Sequence, residues 1–286
     1  MSRRSALARL GAVGAVAAAL ALSGCASADT PSASGTSAPA DAGWVTPGKI
    51  TIATAEPAYY PWVIDDKPES GEGFEAAVAY AVAEQLGFAK DDVVWVRTTF
   101  DEAIAPGPKD FDFNLQQFSI TDERKQSVDF SSPYYETTQV VVTTGESPAA
   151  DASSIADLKD LLIGAQTGTT SFTAIEDVIQ PTQPAQAFNS NDDAKLALEN
   201  GQVDAIVVDL PTAFYIAGAE LTDGVIVGQL PNPEGVTGDQ FGLVLAKDSP
   251  LTEEVSAAVD ALREDGTLDE LEAKWLGGEG EAPVLQ

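Results

Sequence analysis

Residues 111–125 read Phe111-Asp112-Phe113-Asn114-Leu115-Gln116-Gln117-Phe118-Ser119-Ile120-Thr121-Asp122-Glu123-Arg124-Lys125. Aromatic and aliphatic residues carry a strand as far as Phe118, after which the chain turns polar and charged within a few positions. On either side the same alternation of short apolar runs and helical stripes repeats. Upstream, residues 49–53 predict a strand. Residues 74–86 predict a helix with Ala77, Val78, Ala81, Val82 and Leu86 on one face, ended by Gly87. Residues 93–96 predict a second strand and residues 100–104 a short helix. Downstream, residues 162–164 predict a strand, the turn Thr167-Gly168-Thr169-Thr170 leads into a helix, and residues 191–200 form a helix stopped by Gly201. Residues 205–208 predict a strand running into Asp209. Ser249 is expected to cap a helix with Pro250 in its first turn and Leu251, Val255, Ala258, Val259 and Leu262 on one face. Strands that alternate with helices imply an α/β fold with mostly parallel sheets flanked by helices. In such folds ligands sit beyond the carboxyl ends of the strands. Three places therefore stand out: the loop after Ala53, the segment after Leu115, and the junction of Val208 with Asp209.

Composition narrows the function. The chain has 286 residues, 45 acidic against 15 basic side chains, a net charge of -30, one cysteine and no histidine. That length holds one large domain or two small ones. So negative a surface repels phosphate backbones, so nucleic acid is not expected as a partner. Without histidine there is no Ser-His-Asp triad, no imidazole base and no His-ligated metal, and a lone thiol makes neither an internal disulfide nor a thiolate cluster. No cofactor or metal is expected. Carboxylate or hydroxyl catalysis remains possible, as does pure binding.

The amino terminus has the layout of an export signal. Arg3, Arg4 and Arg9 precede the apolar run of residues 10–22, which is short for a membrane span. Leu22-Ser23-Gly24-Cys25 resembles the lipobox of bacterial lipoproteins. That resemblance implies cleavage after residue 24 and a thioether-linked diacylglycerol, with palmitate-type acyl chains, on Cys25. Two acyl chains hold a protein at a membrane durably where one does not. Residues 25–47, rich in Ala, Ser, Thr, Pro and Gly, read as a flexible linker. The Arg3-Arg4 pair leaves the twin-arginine route open beside the general secretory one. Removing residues 1–24 takes away those three arginines and no acid, so the balance moves from -30 to -33.

The strand-end segment, with Val128-Asp129-Phe130-Ser131-Ser132-Pro133-Tyr134-Tyr135, resembles the signature of family 3 extracellular solute-binding proteins, the polar amino-acid receptors of ABC importers. Gly73-Phe74-Glu75, residues 166–170, Asn200-Gly201-Gln202-Val203-Asp204-Ala205, Asp209, Phe241-Gly242 and the segment from Arg263 to Trp275 follow in the family's order, spanning residues 48–277. The resemblance implies a two-lobed, periplasmic-binding-protein-like clamshell. Residues 48–136 and 239–277 would form lobe 1, residues 137–238 lobe 2, and residues 278–286 a C-terminal tail. It also implies a monomer that closes on a small-molecule amino acid and docks on a permease. ATP would be hydrolysed by another subunit, because residues 164–170 lack the lysine of a phosphate-binding loop.

A free amino acid brings a carboxylate and an ammonium, both costly to dehydrate unless each meets an opposite charge. Arg124 matches the family's carboxylate-binding arginine, and its planar fork suits that task. On local sequence alone a surface ion pair with Asp122 or Glu123 is the favoured reading, and the surrounding motif reverses that order. Ser119 matches the family's hydroxyl position, while Thr170, with Thr169, sits in a turn before a helix where backbone amides and a hydroxyl can meet an anion, and helix capping explains the threonines as well. Asp209 matches the ammonium-binding aspartate, with a helix N-cap as the structural alternative. Tyr59 matches the stacking aromatic, Phe118 the opposite wall, and Glu56 the acid that favours a basic or amide ligand side chain. Trp62 reads as core. Gln117 adds a hydrogen-bonding group, and Gln116 and Gln166 are weaker candidates. Two other classes stay open: a cleft enzyme, dehydratase or glycan lyase-like, using Glu56 with Asp209, and a sensory module that meets no permease.

Overall fold

The computed structural model describes residues 43–232, 235, 238–277 and 282–286. The signal segment, Cys25 and most of the linker lie outside the described residues. In chain order the elements are β1 (Ile50–Ala55), α1 (Phe74–Gln85), β2 (Val93–Thr98), α2 (Phe100–Ile104), β3 (Phe113–Asn114), β4 (Val128–Thr137), β5 (Gln139–Thr144), α3 (Ile155–Leu158), β6 (Ile163–Gln166), α4 (Thr170–Ala174), β7 (Gln186–Phe188), α5 (Asn191–Glu199), β8 (Ala205–Asp209), α6 (Leu210–Tyr215), β9 (Gly224–Gln229), β10 (Asp239–Ala246), α7 (Thr252–Glu264) and α8 (Thr267–Trp275).

They build two five-stranded sheets, ordered β2-β1-β3-β10-β4 and β7-β6-β8-β5-β9. The α/β class and the two-lobed form hold, but pairing is mixed. In the first sheet β1 runs parallel to β2 and β3 while β10 runs antiparallel to β3 and β4. The second sheet repeats this, with β6 parallel to β7 and β8 and with β5 antiparallel to β8 and β9. β4 leaves the first sheet at Thr137 and β5 enters the second at Gln139, so a single residue separates the two sheets there. The chain returns between β9 and β10. It crosses again after α8: Leu276 packs in the first lobe's core, whereas Leu285 is buried in the second's and Val284 bridges Gln229.

Strand alternation feeds two layers at once. Val141 and Val207 point into one apolar cluster of the second lobe, and Val140, Val142, Ile206 and Val208 into the other. In the first lobe Ile50, Ile52, Leu243 and Leu245 meet α1, α7 and α8, while Ala53 and Val244 face Phe100 and Phe118. Sheets buried on both faces read as continuous apolar runs, as these do.

Two local expectations change. Residues 111–118 pair as a strand only at Phe113–Asn114, because the chain bends into the cleft immediately afterwards and Gln117 takes a left-handed backbone, φ 51°. The helix expected from Ser249 starts at Thr252. Ser249 still shapes its entry, its hydroxyl accepting from Leu251 N at 3.2 Å.

Gly73 joins the fold to the cleft. It precedes α1 with φ 102°, and a Cβ there would lie 2.5 Å from the carbonyl oxygen of Trp62. That carbonyl accepts from Glu75 N at 3.0 Å. Gly73→Ala should destabilise the protein by at least about 1–3 kcal/mol, the usual cost of a forced backbone conformation. The shift is measurable as a lower midpoint in urea denaturation; an unchanged midpoint would contradict this packing.

Candidate ligand-binding cleft

Between the lobes, at the carboxyl ends of β1, β3, β6 and β8, lies a cleft holding about 540 Å³ of space, part of it open to solvent. Arg124 is nine-tenths buried on its wall. Nη1 donates to Ser119 O at 2.7 Å and Nη2 to Gly168 O at 2.9 Å, the second bond crossing from one lobe to the other. The guanidinium lies over the Phe100 ring, 5.3 Å from its centroid. The surface ion pair that local sequence allowed is absent. Asp122 pairs with Lys125 instead, and among the described residues no carboxylate lies within ion-pair distance of Arg124. Burial lowers its pKa to about 10, opposed by the charges of Asp239 and Glu123, so the group stays cationic at neutral pH. Two of five N–H donors are used on carbonyls and three are left.

Asp209, also buried, ends β8 and caps α6. Oδ1 accepts from Thr212 N at 3.1 Å and Oδ2 from Thr212 Oγ1 at 2.8 Å. The N-cap alternative is therefore realised, yet the same carboxylate lines the cavity. An ionised carboxylate has about four acceptor sites, so cap and ligand can share it. Burial raises its pKa to about 6, against the lowering effect of the Thr212 bonds.

The hydroxyl positions meet across the gap. Ser119 Oγ and Thr170 Oγ1 are 3.0 Å apart, one on each lobe. Thr169 lines the cavity but also caps α4, accepting from Phe172 N at 3.1 Å and donating to Gln166 O at 2.6 Å. Tyr59 forms part of the wall and faces Asp192 of the other lobe, its phenol pKa driven up first by burial and then by that acid's charge. These cross-lobe contacts describe a closed clamshell.

Three expected positions differ. Glu56 is exposed and outside the cavity lining: Ala55 closes β1 facing the cleft, and alternation turns the next side chain away. Phe118 is fully buried behind Phe100, ring centroids 4.9 Å apart, so Phe100 is the wall and Phe118 its support. Gln117 lines the cleft, but its side-chain Nε2 bonds Glu75 and its backbone N donates to Glu75 Oε1 at 2.8 Å. Gln139, Ser171, Asn191 and Phe241 complete the lining and escaped the sequence reading. Phe100 carried one readable signal, the Thr99/Glu102 capping box that seats it. Gln116, Gln166 and Asn191 make no side-chain hydrogen bond within the protein among the described residues, and Gln116 Oε1 is a buried acceptor without a partner.

Residues 50–278 match the model of the bacterial extracellular solute-binding proteins, family 3. The chain belongs to that family. This family 3 protein is 30% identical over 236 residues to the L-arginine-binding protein of Pseudomonas aeruginosa, covering 77% of this chain and 85% of the other. Among solved structures it resembles an ancestral arginine-binding protein bound to glutamine, with a TM-score of 0.65, 30% identity, and 81% and 99% of the two chains covered. It also resembles an ancestral amino acid-binding protein described as a precursor of cyclohexadienyl dehydratase, with a TM-score of 0.64, 31% identity, and 79% and 94% covered.

Beneath the cleft of this solute-binding protein, fully buried Glu75 accepts from Gln117 and from Tyr134 OH. Burial pushes its pKa up to about 7, outweighing the lowering effect of those bonds. Both Glu75 and Asp209 bind protons more tightly folded than unfolded, so the stability they contribute is present below their unfolded pKa and lost as pH rises through the folded values. The Tm of the ligand-free protein should therefore fall between about pH 5 and pH 7. Glu75→Gln should flatten that slope. A slope identical in the variant would show that Glu75 does not titrate there.

Proposed function

We propose that this chain is the extracytoplasmic, lipid-anchored substrate-binding protein of an ABC importer, closing around a polar amino acid and delivering it to a permease driven by a separate ATPase. The anchor would be Cys25, as the lipobox-like sequence implies, with residues 25–47 as a tether on the outer face of the cytoplasmic membrane. Sheet membership supports lobes of residues 48–136 with 239–277, and of residues 137–238, except that Thr137 still pairs with Asp239 in the first sheet. One observation carries the reading: a buried guanidinium without a carboxylate partner lines the same cavity as a buried carboxylate. Arg124 would take the ligand carboxylate, helped by Ser119 and Thr170, and Asp209 the ammonium.

The ligand's side chain is best matched to an uncharged amide. Arg124 and Asp209 are the only charged residues among the cavity's described lining, and one zwitterion satisfies both. Around them stand the free amides of Gln116, Gln166 and Asn191, which both donate and accept. The orphan Gln116 Oε1 asks for an N–H donor, which the side chain of an acidic ligand lacks. Glutamine or asparagine fits best. The arginine-binding relative and Asp192 beside Tyr59 favour a basic ligand as the second reading.

An enzyme built on Glu56 and Asp209 lacks support, since Glu56 faces solvent. Glu75 is not a ready substitute: its carboxylate already receives three hydrogen bonds.

A thermal-shift screen of the twenty amino acids against a soluble form beginning near Gly43 tests the reading. A ligand at 100 times its Kd stabilises by about 2.7 kcal/mol. We expect the largest rise with L-glutamine or L-asparagine and none with glutamate or aspartate. Arg124→Ala should weaken calorimetric affinity by at least the roughly 1.5–3 kcal/mol of a charged hydrogen bond. No shift with any amino acid, or turnover of one, would overturn the assignment.

A further inference from the structure

Trp62 is read from sequence as a core residue, and it is buried, with ring centroids of Tyr135 and Phe241 each 5.8 Å away. Its indole N–H has a destination outside that core. Nε1 donates to Thr212 Oγ1 at 3.0 Å, from the loop after β1 in one lobe to α6 in the other. The Thr212 oxygen lies 2.8 Å from Asp209 Oδ2. An indole nitrogen can only donate, and an ionised carboxylate can only accept. The order of protons is therefore fixed: indole to hydroxyl, hydroxyl to carboxylate.

We propose that Trp62 is a positioning residue for ligand binding, which in the closed form orients the Thr212 hydroxyl so that it donates to Asp209 and holds that carboxylate ready for the ligand's ammonium. The inference rests on the reading of Asp209 as the ammonium site. It adds a coupling that this reading lacks. The relay spans the cleft, so it exists only when the lobes meet. Closure thereby strengthens the ammonium site, and an occupied ammonium site favours closure, since a ligand shifts a two-state equilibrium only through differential affinity. Aromatic packing on the first lobe fixes the indole, and the Thr212 backbone bond to Asp209 Oδ1, 3.1 Å, fixes the acceptor. Only the hydroxyl rotor between them is free to turn, and the indole sets it. Asp239, Glu75 and Tyr134 also lie near the Asp209 carboxylate, but ionised acids donate nothing and the Tyr134 hydroxyl is spent on Glu75, so none replaces the Thr212 hydroxyl.

The experiment compares Trp62→Phe, Thr212→Val, the double variant and Asp209→Asn in the soluble form, titrated with L-glutamine and with L-arginine at several pH values. Trp62→Phe should lower affinity about three- to tenfold and Thr212→Val about tenfold or more, within the range of a single hydrogen bond in a buried site. The double variant should bind no more weakly than Thr212→Val alone, because both changes break one relay. Trp62→Phe and Thr212→Val should each also move the acid side of the affinity–pH profile to higher pH, since the first releases and the second removes the hydroxyl donor that favours the charged form of Asp209. A merely structural Trp62 would lower the ligand-free Tm without moving that profile. Should Trp62→Phe fail to fold, the near-isosteric Thr212→Val still reads the profile. Losses that multiply in the double variant, or an unmoved acid limb, would overturn the relay. Full affinity in Asp209→Asn would instead remove the ammonium assignment itself, and is thereby distinguishable.

Discussion

Arg124 carries a positive charge into a cleft where its neighbours offer two carbonyls and an aromatic face but, among the described residues, no carboxylate within ion-pair distance. Withdrawing such an ion from water costs several kcal/mol, and neutral partners offset only part of it. A fold tolerates that deficit when something else completes the pair. The rest of the cleft is arranged around this: the Phe100 ring backs the guanidinium, Phe118 backs Phe100, and Ser119 lends both its carbonyl and its hydroxyl. Because Nη2 reaches Gly168 in the opposite lobe, the same side chain that needs a ligand also spans the joint.

The anionic side works differently. Asp209 is held by its own helix cap, so its position is built into α6 before any ligand arrives. Its charge is conditional, because burial raises its pKa to about 6 and Glu75 lies near enough to feel it. Glu75 in turn fixes Gln117 in a left-handed backbone at the lip of the cavity. Glu75 lies beneath the cleft, while buried Arg124 and Asp209 both line it, and under the proposed function one zwitterion would answer both of those charges. Only Thr138 separates β4 from β5 where the chain first passes between the lobes. Gln139, at the start of β5, ties that joint to the cleft by donating to Asp239 at 2.8 Å and accepting from Ser171 at 2.6 Å.

Much of this was legible in the residues. Ends of apolar strands located Asp209 and the segment leading to Arg124, and helix periodicity gave α1 and α5 to within a residue at each end. What was lost depended on single-residue geometry. Glu56 is one position past a cavity-lining residue, and period-two alternation sends it to solvent. Phe118 and Phe100 are both aromatic, and only packing decides which stands in front. The antiparallel strands β4 and β10 carry Pro133 and Gly242, which obscure the pattern of a strand, and their pairing shifts register at Gly242. Gln139, Ser171 and Asn191 reach the cleft only through tertiary folding. The cross-lobe bond of Trp62 could not be read at all, because nothing local links it to a threonine 150 positions away.

Whether one zwitterion bridges Arg124 and Asp209 can be read by calorimetry with three related compounds on the soluble protein. L-glutamine carries both charges, 4-aminobutanamide lacks the α-carboxylate, and 5-amino-5-oxopentanoate lacks the ammonium. Glutamine should bind, and each analogue should be weaker by at least about tenfold, the worth of a charged hydrogen bond in a buried site. Either analogue binding as tightly as glutamine would contradict that bridge.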